Sequence, residues 1–245
     1  MTLGGRRWLA RGLLAGSVVL LAACGTPESQ VSDDSPAAED AAASSTLSPA
    51  GADAGCDEAP VVPSRTLSQV EAPKTEVSGA WSAEILTNCG VLEVELYADK
   101  APVTVSSFLH LATEDYWVDS PCHRLTTQGI FVLQCGDPTG TGRGAPGYTF
   151  GIENAPPDGQ YPPGTLAMAR SQDPNSNGGQ FFIVYQDTEL PTDGGGYSIF
   201  GKVTRGMDIV DRVATQGVDG GGADGPPAAP ISILSVEVTQ EKASE

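Results

Sequence analysis

Residues 120–137, SPCHRLTTQGIFVLQCGD, gather one of two histidines, an arginine and two of five cysteines within eighteen positions. Three chemistries suit that mixture: a Cys–His nucleophile, a metal centre, or a site that works by binding alone. A nucleophile needs Cys122 or Cys135 as a thiolate beside a histidine base. Cys122 and His123 are sequence neighbours, so on a strand their side chains take opposite faces. His110 falls in a helical pattern beside apolar positions and reads as a packed or partly exposed histidine. Zinc wants four ligands at close spacing, yet the chain has no C-x-x-C and only two histidines, so no metal and no other cofactor is expected. What remains is a polar and aromatic set on strand-like runs: Arg124 on one, Phe131 and Gln134 on the next, and Gln180 with Phe182 sharing one face two residues apart. An arginine and two glutamines beside two phenylalanines make an apolar floor with a few fixed hydrogen bonders, the usual form of a small-ligand site.

The elements that must position this set follow from periodicity. WSAEILTN and VLEVELY flank a turn at Asn88-Cys89-Gly90 and predict a hairpin. Val105, Phe108, Leu109 and Ala112 stand at i, i+3, i+4 and i+7 behind Pro102, predicting a helix. CHRLTT, IFVLQC, TLAMAR, QFFIVY and YSIFGKV are five further strand-like runs, GMDIVDRVAT a second helix and ISILSVEV a last strand. Eight short strands and two helices predict a mainly β fold, an eight-stranded closed antiparallel barrel capped by two α-helices.

Three other motifs carry no chemistry. GRGAPG, residues 142–147, satisfies G-x-G-x-x-G, but Pro146 and the extended YTF behind it deny the helix that a dinucleotide site requires. TDGGGY and DGGGADGPP lack the Lys and Ser/Thr of a phosphate loop and read as surface loops.

The N-terminus has signal-peptide grammar: Arg6, Arg7 and Arg11 precede an apolar run from Leu13 to Ala23. The run is shorter than the ~20 residues of a membrane helix. Leu21-Ala22-Ala23-Cys24 resembles a bacterial lipobox, which implies cleavage after residue 23, acylation of Cys24 and anchoring at the extracytoplasmic face of the cell membrane. Residues 24–77, rich in Ala, Ser, Pro and acids, read as a disordered tether, residues 78–242 as the folded domain and 243–245 as a tail. Removing residues 1–23 turns a formal charge of −18 into −21, a balance that repels nucleic acid. Cys56, Cys89, Cys122 and Cys135 then suggest two disulfides. Cys56–Cys89 with Cys122–Cys135 is one arrangement and Cys89–Cys122 another; spacing leaves both open.

The blocks CHRLTTQGIFVLQCGDPTGTGRGAPGY, GTLAMARSQDPNSNGGQFFIVY and YSIFGKVTRGMDIVDRV resemble the signature blocks of cyclophilins, the peptidyl-prolyl cis/trans isomerases, with ELYADKAPVTVSSFLHLA matching the first hairpin and helix. The resemblance runs from Trp81 to Val238. It implies a catalytic Arg124 supported by His123, and substrate contacts from Phe131, Val132, Gln134, Met168, Ala169, Arg170, Gln180, Phe182, Leu190 and Tyr197. The implied partners are proline-containing polypeptides met by a monomer, here exported or cell-envelope proteins whose folding it assists. A proline-peptide binding or adhesion module with incidental turnover is the alternative, and a thiol oxidoreductase using Cys122 and Cys135 a third. The chain departs from the family pattern at Cys122, where phenylalanine is usual, at Val132 for a frequent methionine and at Arg170 for asparagine. The stretch from His123 to Phe131 is two residues longer, and the missing tryptophan near Leu190 implies weak cyclosporin binding.

Overall fold

In the computed structural model of the chain the described residues are 48–61 and 69–241. The signal peptide, Cys24, the first part of the expected tether and the tail fall outside them. Residues 48–61 carry a short helix, α1 (Pro49–Asp53), capped by the Ser48 side chain. Cys56 follows it and is bonded to Cys89.

The domain proper opens with β1 (Trp81–Thr87) and β2 (Gly90–Leu96), the expected hairpin. Its alternation buries Ala83, Ile85, Leu92, Val94 and Leu96 on one face. Helix α2 (Pro102–Thr113) follows, with Pro102 in its first turn and Val105, Phe108 and Leu109 buried. Then come β3 (Ser120–Pro121), β4 (Arg124–Thr126), β5 (Val132–Cys135), β6 (Gln160–Tyr161), β7 (Thr165–Met168), β8 (Phe181–Val184), β9 (Thr188–Glu189) and β10 (Ile199–Arg205). Helix α3 (Met207–Thr215), β11 (Asp224–Gly225) and β12 (Ser232–Gln240) complete the chain. All eight expected strands and both expected helices are present.

The closed eight-stranded barrel is not. Ten strands form one curled antiparallel sheet in the order β11-β4-β5-β8-β7-β10-β2-β1-β12-β3, whose end strands share no ladder among the described residues. The cause lies in the chain at residues 120–126. β3 pairs with β12 at one end of the sheet and β4 pairs with β5 near the other, yet only Cys122 and His123 separate them. The strip is therefore drawn round by the backbone itself, and a disulfide between Cys122 and Cys135 fastens the bend to β5. Chain continuity and a covalent bond replace the closing ladder.

Three central strands, β5, β7 and β8, are buried on both faces. Leu133, Leu166, Met168, Phe181 and Ile183 face the main core with Phe108, Trp117 and Phe200. Their alternate neighbours Val132, Ala167, Phe182 and Val184 form a smaller apolar cluster with Tyr161 and Leu190. Burying each large apolar side chain contributes ~1.5–3 kcal/mol, so the sheet is held from both sides where it carries the site. Close approach of backbones is also required there. At Gly136, φ is +90° and a Cβ would stand 2.4 Å from the Gly179 carbonyl, so only glycine fits.

Candidate active site

On the outer face of the sheet one cross-strand row runs Arg124, Gln134, Phe182, Ala167, from β4 through β5 and β8 to β7. Period-2 alternation aims these four side chains the same way. The Arg124 Nη1 group donates to Gln134 Oε1 at 3.1 Å, Gln134 Nε2 donates to Gln180 Oε1 at 3.0 Å, and Gln180 Nε2 donates to the Gly144 carbonyl at 3.0 Å. The glutamine amides are thus oriented by a chain of donors that starts at a guanidinium.

Arg124 is fixed from a second side. Its Nε and Nη2 groups donate to the two carboxylate oxygens of Asp224 at 2.8 and 2.7 Å. Asp224 reaches this position because β11 pairs with β4, placing Asp224 opposite Thr126. This hydrogen bond pushes the Arg124 pKa up, against the burial that lowers it, and holds the Asp224 carboxyl below the usual carboxylate range. A guanidinium carries five N–H groups. With two on Asp224 and one on Gln134, two are left to meet a ligand.

Beside the guanidinium lies a cavity of about 100 Å³ lined by Ile130, Val132, Phe182, Ala169, Leu190 and Tyr197 together with Arg124, Gln134 and Arg170. At about 30 Å³ per water, it has room for a small ring and little more. The β6–β9 pair sets Leu190 at its wall, with the Leu190 N–H donating to the Gly159 carbonyl. Tyr161, fully buried, accepts the Tyr197 N–H and donates to the Tyr197 carbonyl, fixing the opposite wall. The Arg170 guanidinium stands 4.8 Å from the Tyr197 ring centroid. A second cavity of about 320 Å³ adjoins the first, sharing Gln134, Ala169 and Arg170 and adding Gln180 and Arg143.

Most of the expected site residues are thereby brought together: Arg124, Val132, Gln134, Ala169, Arg170, Phe182, Leu190 and Tyr197 on the first cavity, and Gln180 on the second. Phe131 and Met168 are corrections. Phe131 shares the core-facing side of β5 with Leu133 and packs on Tyr185, while Met168 lies in the main core. Alternation with Val132 and Ala167 turns both away from the pocket, and Ile130 takes the place expected of Phe131. His123 stands behind the site rather than in it. Its Nδ1 is buried without a partner, and burial, ahead of the opposing pull of Asp137, keeps its pKa below 6.5. Asp224 went unread because it lies in a glycine-rich stretch one hundred positions from Arg124. The DGGGADGPP segment is more than a surface loop, since it delivers that carboxylate.

The thiols expected to be structural are so: both cysteine pairs form disulfides, in the first of the two arrangements. No group of histidine, cysteine and acidic side chains among the described residues is arranged to hold a metal ion.

The profile of the family described as cyclophilin type peptidyl-prolyl cis-trans isomerase/CLD matches residues 82–238. The chain belongs to this family. Among curated cyclophilins it is 40% identical over 194 residues to the "Probable peptidyl-prolyl cis-trans isomerase B" of Mycobacterium tuberculosis, covering 72% of this chain and 62% of that one. To the "Peptidyl-prolyl cis-trans isomerase-like 1" of Neurospora crassa it is 35% identical, over 68% of this chain and 99% of that protein. The chain thus spans about six tenths of the length of the mycobacterial isomerase B proteins it matches. A crystal structure of a cyclophilin-type isomerase of Cryptosporidium parvum superposes with a TM-score of 0.56 at 32% identity, over 66% of this chain and 99% of that one. A second crystal structure of that cyclophilin, obtained in the presence of the dipeptide Ala-Pro, gives a TM-score of 0.55 at 33% identity.

Proposed function

We propose that this cyclophilin catalyses cis/trans isomerisation of X-Pro bonds with Arg124 as the catalytic residue. The observation that carries the reading is the pairing of a ring-sized apolar cavity with a guanidinium held at its edge by Asp224 and Gln134.

Rotation about an X-Pro bond crosses a barrier of ~18–20 kcal/mol because the nitrogen lone pair is conjugated with the carbonyl. No bond breaks, so neither nucleophile nor metal is needed, only tighter binding of the twisted amide than of the planar one. Phe182, Val132, Leu190 and Ile130 hold the proline ring in the cavity. A free N–H of Arg124 then donates to the prolyl nitrogen, whose lone pair becomes an acceptor only when conjugation is lost. Gln134 and Gln180 hold the backbone leading to the proline while the preceding carbonyl swings. Each tenfold acceleration requires ~1.4 kcal/mol, and a charge-assisted hydrogen bond made only in the twisted state supplies part of it.

The clients in this reading are exported or cell-envelope proteins, met at the outer face of the cell membrane by a chain anchored through acylated Cys24. The lipobox-like tetrad that ends in Cys24 and the two disulfides support that location. An isomer-exchange assay of the purified protein on an Ala-Pro peptide is expected to show acceleration that Arg124→Ala removes while the circular dichroism spectrum persists. Equal rates for the two proteins would sink the role of Arg124. The mass of the mature protein checks Cys24 separately: diacylglycerol on a chain starting at residue 24 is expected, and an unmodified cysteine argues against the anchor.

A further inference from the structure

Five arginines lie among the described residues, and three of them, Arg124, Arg205 and Arg212, pair with carboxylates. Arg143 and Arg170 have no carboxylate partner among the described residues, and both line the second cavity. No acidic side chain lines that cavity, in a chain whose formal charge is −18.

Both arginines are presented by ordered backbone. The buried Asp137 carboxylate accepts from the Thr139 and Thr141 hydroxyls and from the N–H groups of Thr139, Arg143 and Gly144, which fixes the loop that carries Arg143. Arg170 donates through Nε to the Gly196 carbonyl, through Nη1 to that of Ser171 and through Nη2 to that of Asp193. Three carbonyls hold the guanidinium and leave two N–H groups and the full charge. Of the acids in the flanking loops, Asp137 is spent on the loop hydrogen bonds just named, Asp173 accepts the Asn175 N–H, and Asp193 offers Arg170 only its backbone oxygen.

The location relative to the proline follows from the row already described. With Arg124 at the prolyl nitrogen, Gln134 and Gln180 lead from that nitrogen toward the second cavity, which they line. The chain preceding the proline therefore runs that way. In an extended peptide, side chains on one face are two residues and ~6.6 Å apart. We infer that the second cavity is a specificity site for an acidic side chain, aspartate or glutamate, two residues before the isomerised proline. Arg143 and Arg170 are its carboxylate-binding groups. This rests on the isomerase reading and narrows its substrates to acidic X-Pro segments.

Three peptides of sequence Ala-Xaa-Ala-Pro-Phe, with Xaa as Glu, Gln or Lys, test it by exchange NMR on the full chain. At low ionic strength the Glu peptide is expected to exceed the Gln peptide in kcat/KM by about three- to tenfold, with Lys poorest. The ratio is expected to contract toward one at about 1 M salt, where the screening length is ~3 Å. Arg143→Glu is expected to invert the order so that Lys exceeds Glu, and Arg170→Gln to shrink the Glu/Gln ratio. Reading ratios rather than rates removes any effect of either variant on the proline pocket. Equal turnover of all three peptides, or a Glu preference that survives Arg143→Glu unchanged, overturns the inference and leaves the isomerase reading standing. Failure to accelerate any of the three would sink that reading itself.

Discussion

Arg124 stands directly across the β4–β5 ladder from Gln134 and donates to its side-chain oxygen at 3.1 Å, so the cation and the amide are one mechanical unit. A guanidinium shared between Gln134 and Asp224 is aimed before any peptide arrives. The consequences can be tested part by part.

Arg124→Lys keeps the charge but loses the planar fork that reaches Asp224 twice and Gln134 once. Activity is expected to fall about 10²-fold or more, close to the loss in Arg124→Ala. Recovery of half the activity by lysine would mean that charge alone suffices.

Asp224→Asn removes the carboxylate that orients Arg124. Its side chain is 56% exposed, and exposed ion pairs contribute ~0–1 kcal/mol to stability. The melting temperature is therefore expected to hold while kcat drops several-fold and KM stays within about twofold. Calorimetry and exchange NMR read the two quantities; a melting loss with unchanged kcat would make Asp224 structural only.

Ile130 and Phe131 are adjacent with opposite duties, one on the cavity wall and one packed toward the core. Ile130→Ala is expected to raise KM at little cost in stability. Phe131→Ala is expected to cost roughly 2–4 kcal/mol in urea denaturation, since a large aromatic is truncated at a partly buried position. The reverse pattern would restore Phe131 to the pocket.

Replacing Cys122 and Cys135 together by serine opens a short loop, for which ~3 kcal/mol of stability is expected to be lost. Activity is expected to fall as well, because the two cysteines flank the segment from Arg124 to Gln134. The Cys56→Ser, Cys89→Ser pair is expected to lose stability with kcat retained. Equal kcat losses in the two pairs would show that the effect is global.

His123 and Asp137 set an acid limit. The His123 pKa is lowered by burial from 6.5, so the unfolded chain takes up that proton first, and stability is expected to fall as pH drops below about 6.5. Burial raises the Asp137 pKa, but its hydrogen bonds from Thr139 and Gly144 outweigh this and hold it below 3.8. Its contribution is present above about pH 3.8 and is lost as pH falls through the folded value. Urea midpoints of wild type and His123→Asn between pH 7 and 5 should differ in slope, the variant being flatter; parallel slopes would remove His123 from the account.

Periodicity recovered the eight longer strands and the helices α2 and α3 because each buries a face that writes its period into the sequence. β3 and β11 are two residues long and write none. The open sheet was illegible for the same reason: the bend at Cys122 and His123 is a property of where β3 and β4 pair. For the site, alternation alone would have excluded Phe131 and Met168, since Gln134 and Phe182 share a face with Val132 and Ala167. The resemblance carried Met168 in by position in a motif, which does not report side-chain direction, and Phe131 entered as an aromatic on the same run as Gln134 although three positions put the two on opposite faces. Asp224 left no local signal, and α1 lay in a composition that reads as unstructured, marked only by Cys56.

The Cys56–Cys89 bond also determines how the domain would be pulled. Tension entering the chain before Cys56 crosses the disulfide and reaches the body at the β1–β2 turn, so the backbone of residues 57–80 carries no load. The point of attachment is then a covalent crosslink on a hairpin turn rather than the first residue of β1, and a tug applies shear to that hairpin's turn instead of peeling β1 from β12. An anchored form of this protein would be held by its disulfide, and reduction would return the chain from 57 to 80 to the load path and move the point of attachment to Trp81.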